Sequence, residues 1–133
     1  MDEIRIPKDR IAILIGKKGE VKREISKLTN TKLQINSKEG DIIINGDDGF
    51  NVYLAKKIIN AIGRGFNPEI ALALLNDDNN LEIIDISYFS RKTKNDLKRI
   101  KSRLIGTKGK AKKLIEDLAD VELSIYGKTI SII

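Results

Sequence analysis

The chain has 133 residues, 41% of them hydrophobic, with 25 Lys and Arg against 19 Asp and Glu for a net charge of +6. It contains no cysteine and no histidine, which excludes disulfides and thiolate metal sites and removes the commonest general base and the commonest zinc ligand. No apolar run approaches the ~20 residues of a membrane span, and the N-terminus has no signal or transit pattern, so a soluble, cytoplasmic, non-enzymatic protein without a cofactor is expected.

Asp2 to Ile6 alternates as a short strand, with Ile4 and Ile6 on one face, and Pro7 ends it. Lys8 to Ile15 reads as a helix with Ile11, Leu14 and Ile15 inward, and Gly16 to Gly19 breaks it. A second helix follows with Val21, Ile25 and Leu28 at core spacing, and Asn30 is its left-handed stop. Lys32 to Asn36 and Ile42 to Ile44 are strands around a turn at 37–41. A long helix then runs from Phe50 to about Ile62.

Gly63 to Phe66 closes that helix, and Asn67 caps a short one with Pro68 in its first turn, reaching Leu75. After a polar turn at 76–80, Leu81 to Ser87 is a strand, with Tyr88 and Phe89 expected to pack. Thr93 and Asp96 have the spacing of a capping box, and Asp96 to Ile105 is a helix. Lys110 to Ala119 is another helix, and Val121 to Tyr126 and Thr129 to Ile133 are strands around Gly127-Lys128.

The chain repeats itself. Leu14-Ile15-Gly16-Lys17-Lys18-Gly19 returns ninety positions later as Leu104-Ile105-Gly106-Thr107-Lys108-Gly109, and without a gap Lys22, Ile25, Leu28, Leu33 and Ile35 meet Lys112, Ile115, Leu118, Leu123 and Ile125. A gapless echo through helix and strand marks a repeated structural unit. The expected organisation is a first domain over 1–66, a linker with a short helix over 67–80, and a second domain over 81–133. By analogy with the first copy, a closing helix is missing after Ile133, unless the helix at 68–75 covers that face.

Charge follows the loops. Residues 1–27 carry +3 and residues 91–113 carry +10, with eleven basic residues against Asp96 alone, while 28–90 and 114–133 carry −4 and −3. Clustered Lys and Arg are the footprint of a polyanionic partner. A Gly-x-x-Gly turn between helices lets a phosphate approach the backbone and aims a helix N-terminus at it, and a lysine in the loop adds a mobile charge. The nucleotide P-loop and the dinucleotide fingerprint both fail on glycine spacing.

Ile-Gly-x-x-Gly between helices, in the order strand, helix, helix, strand, strand, helix, resembles the KH domain of proteins that bind RNA and single-stranded DNA. The resemblance implies an α+β fold of two tandem type I KH domains (βααββα), the second lacking its closing helix. The whole chain further resembles the two-KH Dim-two, or partner-of-Nob, family of small-subunit ribosome assembly. The segments that carry this are Ile15 to Val21, Ala61 to Glu69, Leu97 to Gly106 and Tyr126-Gly127-Lys128-Thr129. That family implies binding near the 3′ end of small-subunit rRNA, contact with the Nob endonuclease and contact with the α subunit of initiation factor two.

Carried onto this chain, the pattern implies that Gly16, Lys17, Lys18 and Gly19 hold one stretch of RNA backbone and Gly106, Thr107, Lys108 and Gly109 another, with Arg103, Lys110 and Lys113 adding phosphate contacts. Lys22 and Lys112 stand where such domains usually carry an aliphatic groove residue, so they either make the groove more polar or snorkel outward. Ile15, Leu33, Ile35, Ile105, Leu123 and Ile125 are core or groove residues. The expectation is a monomeric, non-catalytic RNA-binding assembly factor. The alternatives are a generic tandem-KH RNA binder and a scaffold that docks proteins.

Overall fold

The computed structural model describes residues 1–89 and 93–133, in two compact units, Met1–Asn79 and Asn80–Ile133. Arg91 and Lys92 of the basic stretch lie outside the described residues.

The first unit runs β1 (Asp2–Arg5), α1 (Lys8–Ile15), a 3-10 turn at Lys17–Gly19, α2 (Glu20–Thr29), β2 (Lys32–Asn36), β3 (Asp41–Asn45), α3 (Gly49–Gly63) and α4 (Pro68–Leu72). Its antiparallel sheet has the order β1-β3-β2, so β3 is central. The register places Ile42 between Ile4 and Ile35, and Ile44 opposite Leu33. Ile42, Ile44 and Leu33 are buried, as are Leu14, Ile25, Val52, Ile58, Ile59 and Ile62 from the helices. One apolar row from the sheet thus meets one stripe from each helix, as a single-layer α+β core requires.

Local caps set the helix ends. Asp48 accepts the Phe50 N–H at 2.9 Å and starts α3 one residue before the apolar pattern does. Asn67 accepts the Ile70 N–H at 3.0 Å and starts α4, whose continuation over Ala73–Leu75 tightens to a 3-10 turn. α4 and the 3-10 turn after it pack on α3 and bury Ala71 and Leu74, so the segment after Phe66 belongs to the first unit's core.

The expected inward stripe of α2 needs one correction. Leu28 is 51% exposed, and the neighbouring Thr29 is buried instead. Its hydroxyl donates to the Ile25 carbonyl at 2.6 Å and bonds the Thr31 hydroxyl at 2.8 Å, which satisfies the polar group that burial would otherwise penalise.

The second unit runs β4 (Glu82–Asp85), a 3-10 turn at Ile86–Phe89, α5 (Lys94–Ile105), a turn at Thr107–Gly109, α6 (Lys110–Ala119), β5 (Leu123–Tyr126) and β6 (Thr129–Ile132). Its sheet order, β4-β6-β5, repeats that of the first. The strand expected to reach Ser87 stops at Asp85, whose carboxylate accepts the Ser87 N–H and turns the chain. Tyr88 and Phe89, expected to pack, are exposed. Thr93 caps α5 through the Asp96 N–H at 3.1 Å, so the helix begins at Lys94, earlier than expected.

The core of this unit is Ile86, Leu123 and Ile130, with Leu97, Ile100, Leu104, Val121, Ile125 and Ile132 packed around it. No helix among its described residues corresponds to α3. Ile115, at the position of the fully buried Ile25, is accordingly 39% exposed, and Leu118 is more open still.

Candidate nucleic-acid interface

Both Gly-x-x-Gly loops adopt one backbone. Gly16, Lys18 and Gly19 have φ of 76°, 54° and 76°, and Gly106, Lys108 and Gly109 have 75°, 53° and 75°. A lysine in the left-handed region costs about 1–2 kcal/mol, so the same strain is held twice.

The two glycines of each loop do different work. A Cβ on Gly16 would lie 2.5 Å from Val21 Cγ2 and 2.8 Å from the Val21 nitrogen, and one on Gly106 would lie 2.7 Å from the Ala111 nitrogen. The first glycine therefore lets the loop close on the start of the following helix. At the second, Gly109 has nothing within 4 Å, so it supplies positive φ and open space for a ligand. No side chain caps the N-terminus of α2 or α6, and the first turn of each presents amides and the positive end of the helix dipole.

The loops differ in what surrounds them. Arg23 folds back and donates from Nη1 to the Lys18 carbonyl at 2.6 Å, partly covering Gly19. Lys113 takes that position in the second unit and leaves Gly109 open. The first turn of α2 holds Glu20, whereas α6 begins with Lys110. Arg23 escaped the sequence reading because its partner is a backbone carbonyl that no side-chain pattern marks.

Lys17, Lys18, Arg103, Thr107, Lys108, Lys110 and Lys113 are all exposed at or beside their loops. Lys22 and Lys112 are half-buried. Lys112 sits 3.7 Å from Glu116, whose other carboxylate oxygen accepts the Leu123 N–H at 3.0 Å. Of the candidate groove residues, Leu33 and Leu123 are core, Ile15, Ile35 and Ile125 are half-buried, and Ile105 is exposed.

Composition did not foretell the groove between α6 and β5. It is lined by Lys112 and Lys113 but also by Glu116, Asp117, Asp120 and Glu122. Burial, followed by the nearby Glu116 carboxylate, pushes the Glu122 carboxyl above its usual range. At the corresponding positions the first unit has Ser26, Lys27, Asn30 and Lys32. The two loops are alike, and the residues at these positions beside them carry opposite charge.

Comparison with known proteins agrees with this geometry. Residues 80–133 match a family described as a eukaryotic type KH-domain (KH-domain type I), and residues 1–61 match the KH domain. The KH domain-containing protein MJ0443 of Methanocaldococcus jannaschii is 45% identical over 134 residues, covering 98% of this chain, and the chain spans 58% of that relative's length. The crystal structure of Dim2p from Pyrococcus horikoshii OT3 is 43% identical with a TM-score of 0.90, over 98% of this chain and 78% of that one. The a/eIF2alpha-aDim2p-rRNA complex from the same organism matches at 44% identity and a TM-score of 0.90, over 98% of this chain and 73% of that one. A protein of unknown function from Aeropyrum pernix, APE0754, is 30% identical with a TM-score of 0.93, over 98% of this chain and 71% of that one.

Proposed function

The chain belongs to the Dim2 (partner-of-Nob) family of two-KH-domain proteins, and from that premise we propose that it is a non-catalytic assembly factor of the small ribosomal subunit. It binds single-stranded RNA near the 3′ end of small-subunit rRNA, or of its precursor, through both Gly-x-x-Gly loops. The observation that carries this reading is the shared loop backbone, held in both copies against the strain at Lys18 and Lys108. An ordinary helix–helix turn makes no such demand twice, whereas clamping a nucleic-acid backbone does.

The similarity to a protein seen with a/eIF2alpha and rRNA supports these two as partners. The family supports the Nob endonuclease as a third. The protein acts in the cytoplasm as a monomer.

The test is binding to a short single-stranded RNA with the small-subunit rRNA 3′ sequence, against a scrambled RNA, across a salt titration. Tight, salt-sensitive binding that prefers the rRNA sequence is the expected result. Equal binding to both RNAs demotes the protein to a generic KH binder. One observation favours a second reading, a protein-docking scaffold: α6 borders an acidic groove and also exposes Leu114 and Leu118. That reading predicts weak RNA binding with a shallow salt slope.

A further inference from the structure

The first unit shows what each flank of the helix before a Gly-x-x-Gly loop faces. Arg10 of α1 donates to the carbonyls of Ile62 and Phe66, so the C-terminal end of α3 lies on the Arg10 side. Lys8, on the opposite flank, reaches the β2–β3 turn, its Cγ 3.9 Å from a Cβ built on Gly40. The ninety-residue repeat carries these flanks to α5, where Ile100 stands for Arg10, Lys98 for Lys8 and Lys101 for Ile11.

On α5, Leu97, Ile100 and Leu104 pack on the core. Lys94, Lys98, Lys101 and Ile105 then fall on one line, spaced four, three and four residues apart. By the repeat, that line lies on the flank that Lys8 takes in the first unit, and it ends at Gly106. Helix α5 has 12 residues, so it is about 18 Å long. Its only acid, Asp96, is engaged by Arg99 at 2.6 Å. Among the described residues none of Lys94, Lys98 and Lys101 is held in an ion pair.

A phosphate strand leading from the loop over the groove beside α6 meets Glu116, Asp117, Asp120 and Glu122. Like charge disfavours that path, and the lysines of α5 favour theirs.

We infer that single-stranded RNA held at the second Gly-x-x-Gly loop continues along α5, where Lys94, Lys98 and Lys101 hold phosphates beyond the four nucleotides that one such loop clamps. This inference rests on the RNA-binding reading above. It gives the second unit a longer footprint than the first, whose α1 carries Ile11 in place of Lys101.

The experiment compares a tetranucleotide and a decanucleotide from the rRNA 3′ sequence. The parent protein carries K17D/K18D, so that the second loop dominates the signal. The decanucleotide is expected to bind more tightly and with a steeper salt slope. K94Q/K98Q/K101Q is expected to remove about 2 from that slope, at ~0.7 per phosphate, and to leave the tetranucleotide unchanged. Between 50 and 200 mM salt this is a difference of about twenty-fold in affinity lost.

K94R/K98R/K101R keeps the charge and is expected to bind like the parent. A triple-Gln variant with the parent's decanucleotide slope overturns the inference, as does equal binding of the two lengths by the parent. Failure of the unmutated chain to bind either length overturns the RNA-binding reading itself, whereas an unmutated chain that binds, with a K17D/K18D parent that does not, overturns this inference alone.

Discussion

Arg10 of α1 donates from Nε to the carbonyl of Ile62 at 2.8 Å, across 52 residues of chain, and from Nη2 to that of Phe66 at 2.9 Å. The Ile62 carbonyl lies in the last turn of α3, where intrahelical partners run out, and that of Phe66 lies three residues past the helix end. One guanidinium thus ties the helix before the first loop to the helix that closes the fold. Arg10→Met keeps most of the apolar stem and removes both bonds. It is expected to cost about 2 kcal/mol, read as a lower urea midpoint with an unchanged m-value.

The glycines of the loops separate two physical demands. Gly16→Ala places a methyl against Val21 and also strains φ, for a loss of about 3 kcal/mol. Gly109→Ala meets nothing and costs only the left-handed penalty, about 1 kcal/mol. Thermal melting of the two variants checks the order. A Gly109→Ala melt as low as that of Gly16→Ala contradicts it.

Charge distribution sets the ranking of the loops. The second lies in the stretch with net +10, and its glycine is uncovered. T107D/K108D is therefore expected to weaken RNA binding by about tenfold more than K17D/K18D. Titration of one RNA into both double variants decides it, and equal losses refute the asymmetry.

Glu122 makes the stability pH-dependent. Partial desolvation and then Glu116 raise its carboxyl above the ordinary value of 4.5. The folded state thus binds this proton more tightly than the unfolded one. The resulting stabilisation is complete below the unfolded value and is lost as pH rises through the folded value. Glu122→Gln is expected to melt higher than the wild type at pH 7, by ~2 °C or less because the site is largely solvated, and to converge with it below pH 4. A gap that widens on acidification contradicts this assignment.

Much of this was legible in the sequence because its causes are local. The left-handed stop at Asn30 and the caps at Asn67 and Thr93 are set by side chains that bond amides two or three residues away. The gapless repeat marked both loops and the helix and strand that follow each, since the same spacing of glycine and aliphatic residues has the same steric solution twice.

Tertiary structure decided what local spacing leaves open. Leu28 and Thr29 differ by one step around α2, and the buried partners of Thr29, Ile25 and Thr31, select it for the inside. Lys22 and Lys112 are equivalent by position, and the fold sets Lys112 3.7 Å from the Glu116 carboxylate one turn on, where the first unit has Ser26. Counting charge along the chain assigns 114–133 a net −3, without saying that Glu116, Asp117, Asp120 and Glu122 line one groove beside a basic loop. That depends on how α6 packs beside β5. Electrostatic fields act through space, so only the fold could set an acidic groove beside one of two loops of one design.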